Sequence, residues 1–268
     1  MCGFAGFVDR AGVTADPVAT LRAMATAIAH RGPDDAQVAF DTSTRVGLAF
    51  RRLAILDLSE AGAQPMRSAC GRYEVVFNGE IYNHAELRAR FGGTRTFRGR
   101  SDTEAMLAAI SALGLPAALD TLRGMFAFAL VDRAERVLWL ARDRFGVKPC
   151  RYALSNGHAP GDGDFTVPQG AAFLFGSELG AIRAHPAFHP SIDRRALHAY
   201  RTSGCVPTPM SIDREARTLA PGHVLRLALD TGAAHITRWW SAETLAERGA
   251  REPFDGGDTD AIDAVDAA

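Results

Sequence analysis

Short apolar runs separated by turn residues dominate the chain. They fall at Phe4–Val8, Val46–Phe50, Tyr73–Phe77, Met125–Val131, Val137–Ala141, Ala172–Phe175 and Val224–Leu227. Runs of this length, bounded by Gly, Pro, Asn and Asp, read as strands. Helical spacing is rarer. Val18, Leu21, Met24, Ala25 and Ile28 recur at i, i+3 and i+4, which predicts a helix over 17–29 opening at Asp16-Pro17. Ser101-Asp-Thr-Glu104 has the form of a capping box ahead of Met106, Leu107 and Ile110, which predicts a helix over 102–113. Shorter helices are expected at 83–91, 116–122, 178–184 and 193–201. Strands that lie close in sequence favour antiparallel pairing, so the expected class is α+β. Asn156–Gly170, rich in Gly, Asp and Pro, is expected to be a long hairpin loop. Its Gly161-Asp-Gly-Asp164 stretch has too few acidic ligands for a calcium loop.

Composition narrows the class further. The 268 residues are 47% hydrophobic and 23% charged, enough apolar content to bury a core and too much for a disordered chain. The 30 basic residues are balanced by 31 acidic ones, so the electrostatic footprint of a nucleic-acid binder is missing. Lys148 is the sole lysine among the basic residues. The longest apolar run, Met125–Val131, is far short of the roughly 20 residues of a membrane helix, and no secretory signal is visible. The four cysteines, at 2, 70, 150 and 205, form no C-x-x-C pair, which argues against a zinc site or disulfide framework and makes the cytoplasm the default compartment. Residues 241–268 read as an acidic linker followed, from Thr259, by the start of a helix, as though a further domain followed.

Candidate chemistry begins at Cys2. Removal of Met1 would place a thiol and a free α-amine on one residue, and an amine with a pKa near ~8 can serve as base for its own thiol. Gly3 and Gly6 remove bulk around it, and the strand would hold the thiol rigidly. Asn78-Gly79 has two readings, a hairpin turn or a carboxamide and a backbone N–H serving as donors to an oxyanion. Arg52 is either a solvated strand charge or a carboxylate ligand, and alternation sends its neighbour Arg51 to the opposite face. Asp102 occupies the first turn of a capped helix and is also placed to bind an ammonium. Asp34 reads as a loop anchor as readily as a catalytic group, and His30 as structural.

Taken in order, Cys2-Gly-Phe-Ala-Gly-Phe, His30-Arg-Gly-Pro-Asp34, Arg52–Asp57, Phe77-Asn-Gly-Glu-Ile-Tyr-Asn83, Ser101-Asp102, Arg142–Pro149 and Leu219-Ala-Pro-Gly-His223 resemble the class II glutamine amidotransferases. The resemblance is nearest to the N-terminal half of glutamine-hydrolysing asparagine synthetases and runs from Cys2 to about Trp240. It implies an N-terminal-nucleophile αββα sandwich of two antiparallel sheets flanked by helices, with an amidotransferase domain over 1–240. It implies that Cys2 attacks glutamine to form a γ-glutamyl thioester, with Asn78 and Gly79 as the oxyanion hole. It carries glutamine binding onto Arg52, the backbone of Leu53, Ala54, Ile55 and Leu56, and Asn78, Gly79, Glu80 and Asp102. No metal is expected. No cofactor is expected on this stretch either, because ATP and Mg would belong to a synthetase domain whose Ser-Gly-Gly pyrophosphate loop is missing here. The implied partners are L-glutamine and either a separate synthetase domain or a second copy of the chain. Two other readings stand beside this one: a catalytically silent remnant that binds glutamine or a synthetase partner, and the glutaminase module of another class II amidotransferase. Cys150-Arg151, Arg201–Cys205 and the length of the 156–170 loop depart from the family pattern outside the glutamine pocket.

Overall fold

A computed structural model describes residues 1–55, 57–92, 97–161 and 163–266. The strands are β1 (Gly3–Val8), β2 (Asp35–Asp41), β3 (Val46–Arg52), β4 (Met66–Arg67), β5 (Tyr73–Ile81), β6 (Gly124–Asp132), β7 (Val137–Arg142), β8 (Arg151–Leu154), β9 (Phe165–Thr166), β10 (Phe173–Gly176), β11 (Ala216–Thr218), β12 (His223–Ala228) and β13 (Ala233–Arg238). The helices are α1 (Pro17–Ala27), α2 (His84–Phe91), α3 (Asp102–Leu113), α4 (Leu115–Thr121), α5 (Leu179–Arg183), α6 (Arg194–Ser203), α7 (Ala242–Arg251) and α8 (Asp258–Asp266). The first sheet runs β11-β8-β10-β1-β3-β2 and the second β4-β5-β6-β7-β12-β13-β9, with every pairing antiparallel.

Alternation along the strands builds four layers. Phe4 and Val8 of β1, Val46, Leu48 and Phe50 of β3, Val76 of β5, and Ala127, Ala129 and Val131 of β6 meet in one core between the sheets. The opposite faces are also buried. Ala5, Phe7 and Ala49 pack under α1 and α5 with Leu21, Met24 and Ile182. Val75, Phe77, Phe126, Phe128 and Leu130 pack under α2, α3 and α4 with Leu87, Met106 and Ile110. Covering on both faces explains why the runs read as continuous apolar strings instead of alternating ones. It also pins register. A one-residue slip would turn Val76 and Asn78 from the inter-sheet side to the helix side, moving Phe77 the other way.

Each predicted apolar run coincides with a strand, Ala172 alone falling just before β10, and each predicted helix is present. α3 occupies the span its capping box predicts. The differences have local causes. β2 escapes the apolar pattern because, as the edge strand, it is only partly buried. The Asn156–Gly170 segment is more than a loop: it carries β9, which crosses to pair with β13 at the edge of the second sheet. Phe165 of β9 stacks on Tyr152 at 6.2 Å, which ties the crossing to the core. Residues 242–251, read from composition as acidic linker, form α7, capped by the Ser241 hydroxyl accepting from the Thr244 N–H. No residue of α7 or α8 is buried. Among the described residues no helix is long and apolar enough to cross a membrane.

Beneath the first sheet lies a buried histidine. His185 is 1% exposed and sits edge-on to Phe7, with Nε2 3.2 Å from Thr14 Oγ1 and Nδ1 accepting from the Ala187 N–H. Burial pushes this imidazole down to about 4, against 6.5 for an ordinary histidine, and the nearby Asp9 opposes the shift. The unfolded chain therefore binds the proton first. His185 contributes its full stability above pH 6.5 and loses it as pH falls towards 4, by about 3 kcal/mol in all. Urea unfolding at pH 7 and pH 4.5 should show a smaller acid loss in His185→Gln than in the parent chain, and equal losses would remove His185 from the acid response.

Candidate active site

The same alternation places the site. On β1, Cys2 follows the parity of Phe4; on β3, Arg52 that of Phe50; and on β5, Asn78 and Glu80 that of Val76. All four therefore face the inter-sheet space, at the end where β1 begins and β3 and β5 finish. There the apolar core opens into a cavity of about 150 Å³. Cys2, Arg52, Leu53, Ala54, Ile55, Asn78, Gly79, Glu80 and Asp102 all line it. Leu56, the remaining sequence candidate, lies outside the described residues.

The Cys2 thiol is fixed by backbone. Its Sγ lies 3.5 Å from the Leu53 carbonyl and 3.4 Å from the Leu53 N–H. The two glycines after it serve packing. A Cβ on Gly3 would meet Arg31 Cδ at 2.8 Å, and one on Gly6 would strike the Gly47 carbonyl and the Phe175 ring. The room they make is for Arg31 and for the sheet, not for the thiol.

Arg31 ends the short 3-10 turn Ala29–Arg31 that follows α1. Its Nε donates to the Cys2 carbonyl at 2.9 Å and its Nη1 to Glu178 Oε1 at 2.6 Å. The Asn78 carboxamide is oriented by its partners: Nδ2 donates to the Cys2 carbonyl at 2.9 Å and Oδ1 accepts from Arg31 Nη2 at 3.2 Å. One Asn78 N–H is thus held by Cys2, and the second has no partner among the described residues. His30 pairs with Glu178 at 3.0 Å on the surface and does not line the cavity.

Gly79 lies inside β5, paired with Phe126, so Asn78-Gly79 is not a hairpin turn. A Cβ at Gly79 would run into the Met125 carbonyl and Phe126, so the glycine lets β5 and β6 approach. Beyond the stretch paired with β4, the backbone amides of β5 that point away from β6 are those of Phe77, Gly79 and Ile81. Phe77 N–H donates to Gln64 Oε1 at 2.6 Å, and Ile81 N–H to Asp102 Oδ2 at 2.8 Å. By the same alternation the Gly79 N–H points between them, into the cavity.

Asp102 is doubly tied, its Oδ1 accepting from its neighbour Thr103 N–H at 2.8 Å. Burial raises the Asp102 carboxyl above its ordinary value, against the pull of the two N–H groups. Ser101 caps α3 by accepting from the Glu104 N–H at 3.3 Å. Glu104 does not complete the expected box. Its carboxylate takes the N–H groups of Arg98 and Gly99, at 2.9 and 3.1 Å, which fastens the turn before the helix. Across the cavity, the Arg52 guanidinium is held by the carbonyls of Ser59, at 3.0 Å, and Asp57. Asp57 in turn accepts from Ser59 and from the Arg100 N–H at 2.7 Å, and these bonds hold its carboxyl down at about 2. Asp34 stays outside the cavity and accepts from the Ala54 N–H at 2.8 Å, which anchors the Leu53–Ile55 segment.

The assembled cavity thus has a thiol and a set of N–H donors at its floor, a guanidinium on one wall and a buried carboxylate on another. That arrangement suits acyl transfer on a small zwitterion. Lys148 also lines the cavity, although the Arg142–Pro149 stretch reads from sequence as structural. Arg142 and Asp143 fit that reading. Asp143 accepts from the N–H groups of Phe126, Phe145, Val147 and Lys148, and Arg142 donates to the carbonyls of Gly146, Lys148 and Leu219. Sequence reasoning also passes over Arg31 and Gln64 as site residues. Arg31 lies within a quoted motif and Gln64 between two of them, but their role depends on contacts across the fold that no local spacing reveals.

A family profile described as "Glutamine amidotransferase domain" matches residues 1–240. Asparagine synthetase [glutamine-hydrolyzing] 3 of Bacillus subtilis (strain 168) is 34% identical over 250 residues, covering 91% of this chain and 37% of the relative. Asparagine synthetase [glutamine-hydrolyzing] 1 of the same organism is 36% identical over 225 residues, covering 83% of this chain and 33% of the relative. The chain spans about a third of the length of these curated relatives. Among solved structures, the glutamine phosphoribosylpyrophosphate amidotransferase of B. subtilis superposes with a TM-score of 0.58 at 17% identity, covering 89% of this chain and 49% of the other, a likeness of fold.

Arg31→Met should remove the bonds to Cys2, Asn78 and Glu178 together. It should cost about 3 kcal/mol, read as a lower urea midpoint with an unchanged slope. An unshifted midpoint would mean that Arg31 does not hold this end of the sandwich.

Proposed function

The chain belongs to the glutamine amidotransferase domain family, and from that premise we propose that it hydrolyses glutamine to glutamate and ammonia, as the amidotransferase portion of a glutamine-dependent asparagine synthetase. The observation that carries this reading is the single cavity that joins Cys2, Arg52, Asn78, Gly79 and Asp102. Removal of Met1 frees the Cys2 α-amine. Sγ attacks the side-chain carbonyl carbon of glutamine as the thiol proton passes to the amine. The oxyanion is met by the second Asn78 N–H and the Gly79 backbone N–H, donors already fixed before reaction. The protonated amine then gives its proton to the leaving nitrogen, ammonia departs and a γ-glutamyl thioester remains. Water, activated by the same amine, releases glutamate.

Substrate choice follows from the walls. Arg52 takes the α-carboxylate and Asp102 the α-ammonium, with Glu80 beside it and the Leu53–Ile55 segment along the pocket. A carboxylate raised by burial, as at Asp102, makes glutamine binding weaken on acidification sooner than an ordinary carboxylate would. The ammonia acceptor would be activated by an ATP- and Mg-dependent synthetase, on a further domain or a partner. Among the described residues no cluster of His, Cys, Asp or Glu could hold a metal ion.

The purified chain, with loss of Met1 verified by mass spectrometry, should release glutamate from glutamine. Cys2→Ala should abolish release while keeping glutamine binding. Asp102→Asn should raise KM by one to two orders of magnitude, about 1.4 to 3 kcal/mol of lost binding, with a smaller change in kcat. No release from a chain with a free Cys2 amine would favour a silent glutamine-binding module, and an unchanged KM would remove Asp102 from the pocket.

A further inference from the structure

Lys148 is 5% exposed, and among the described residues its ammonium has a single hydrogen-bond partner, the thioether of Met1 at 3.0 Å. A sulfur is a weak acceptor for a buried cation. The neighbouring charges do not supply a better one. The Asp143 carboxylate is taken up by four backbone N–H groups, one of them from Lys148 itself. Arg31 is a second cation nearby, already paired with Glu178 at 2.6 Å. Glu80, Arg52 and Asp102 line the same cavity, and none of them bonds to the Lys148 ammonium. The Lys148 pKa is lowered, by burial first and by Arg31 second, with Asp143, Glu80 and Cys2 pulling the other way.

Met1 covers this ammonium only while it remains on the chain. Its removal takes away the sulfur and creates a second amine, on Cys2, in the cavity that Lys148 also lines. We propose that Lys148 is a positioning residue for the nucleophile: its charge, uncovered by loss of Met1, disfavours protonation of the Cys2 α-amine and so keeps that amine available as a base near neutral pH. Like charges placed together in a poorly solvated site repel a second proton. This rests on the amidotransferase reading above for the use of the amine, but not for its titration.

Two measurements test it. The first is the acidic limb of kcat/KM for glutamine hydrolysis in the parent chain, Lys148→Met and Lys148→Arg. The second is competitive acetylation of the N-terminal amine across pH, read by mass spectrometry in a Cys2→Ser background with and without Lys148→Met. The expected result is that Lys148→Met moves both midpoints up by about one pH unit, a roughly tenfold loss of rate well below the limb, and that Lys148→Arg restores both. A merely structural lysine would change stability and kcat but leave both midpoints in place, and that result, in a folded variant, overturns the proposal. If Lys148→Met does not fold, Lys148→Gln is read in the same way. If the chain fails to hydrolyse glutamine, the amidotransferase reading falls and the acetylation midpoint still decides the role of Lys148.

Discussion

The guanidinium of Arg31 ties three parts of the molecule to one point. It reaches the Cys2 carbonyl at the start of β1, the Asn78 carboxamide on β5, and Glu178 just past β10. β1 and β10 belong to the first sheet and β5 to the second, so this one side chain fastens the two sheets where the cavity opens. Elsewhere the sheets are held by close-packed aromatic and aliphatic groups, which define spacing but carry little directional information. At the cavity end the apolar contacts stop, and only directed bonds can fix the thiol relative to the carboxamide to within a few tenths of an ångström. Arg31 does this with a planar fork whose donors are spread over separate partners, a task the point charge of a lysine cannot perform.

The rest of the site solves a related problem, how to keep charges at the end of an apolar core. Burying an ion without partners costs several kcal/mol. Backbone groups answer most of that need here. Arg52 rests on two carbonyls, Asp102 on two N–H groups, Asp143 on four, and Arg142 on three carbonyls. Backbone partners do not rotate away, so each charge is held in place by the fold itself. Lys148 is the exception, and its exceptional position beside Met1 and Cys2 is what makes it informative.

How much of this was legible in the sequence follows from the range of each interaction. Strands buried on both faces, such as β1 and β6, announce themselves as apolar strings. The half-buried β2 and the short β9 do not, because their pairing is decided by neighbours far along the chain. The Ser101 cap is local and is read correctly, whereas the partners of Glu104 are the N–H groups of a turn whose shape the spacing does not encode. Cys2, Arg52, Asn78, Gly79 and Asp102 were found as a set through family resemblance, and the fold does bring them to one cavity. Residue chemistry alone favours a turn over an oxyanion site at Asn78-Gly79, and the pairing of Gly79 with Phe126 within β5 removes the turn. Arg31 and Lys148 went unread as site residues because an arginine in an arginine-rich chain, or a lysine in a turn motif, carries no mark of where its tip ends.

The placement of the proposed nucleophile at residue 2 also has a structural reason. β1 is an inner strand of the first sheet, flanked by β10 and β3, and its pairing begins at Gly3. Met1 stands outside that ladder, is 61% exposed, and contributes no residue to the core clusters. Its loss therefore breaks no strand pairing and opens no cavity in the core. Cys2, by contrast, is fixed by Leu53 and Arg31 whether or not a residue precedes it. An amine released at this position would inherit a site built mostly by the rest of the chain, with Met1 alone leaving the cavity lining. A nucleophile one residue further along would lose that arrangement, because strand alternation would turn its side chain away from Asn78 and beneath α1.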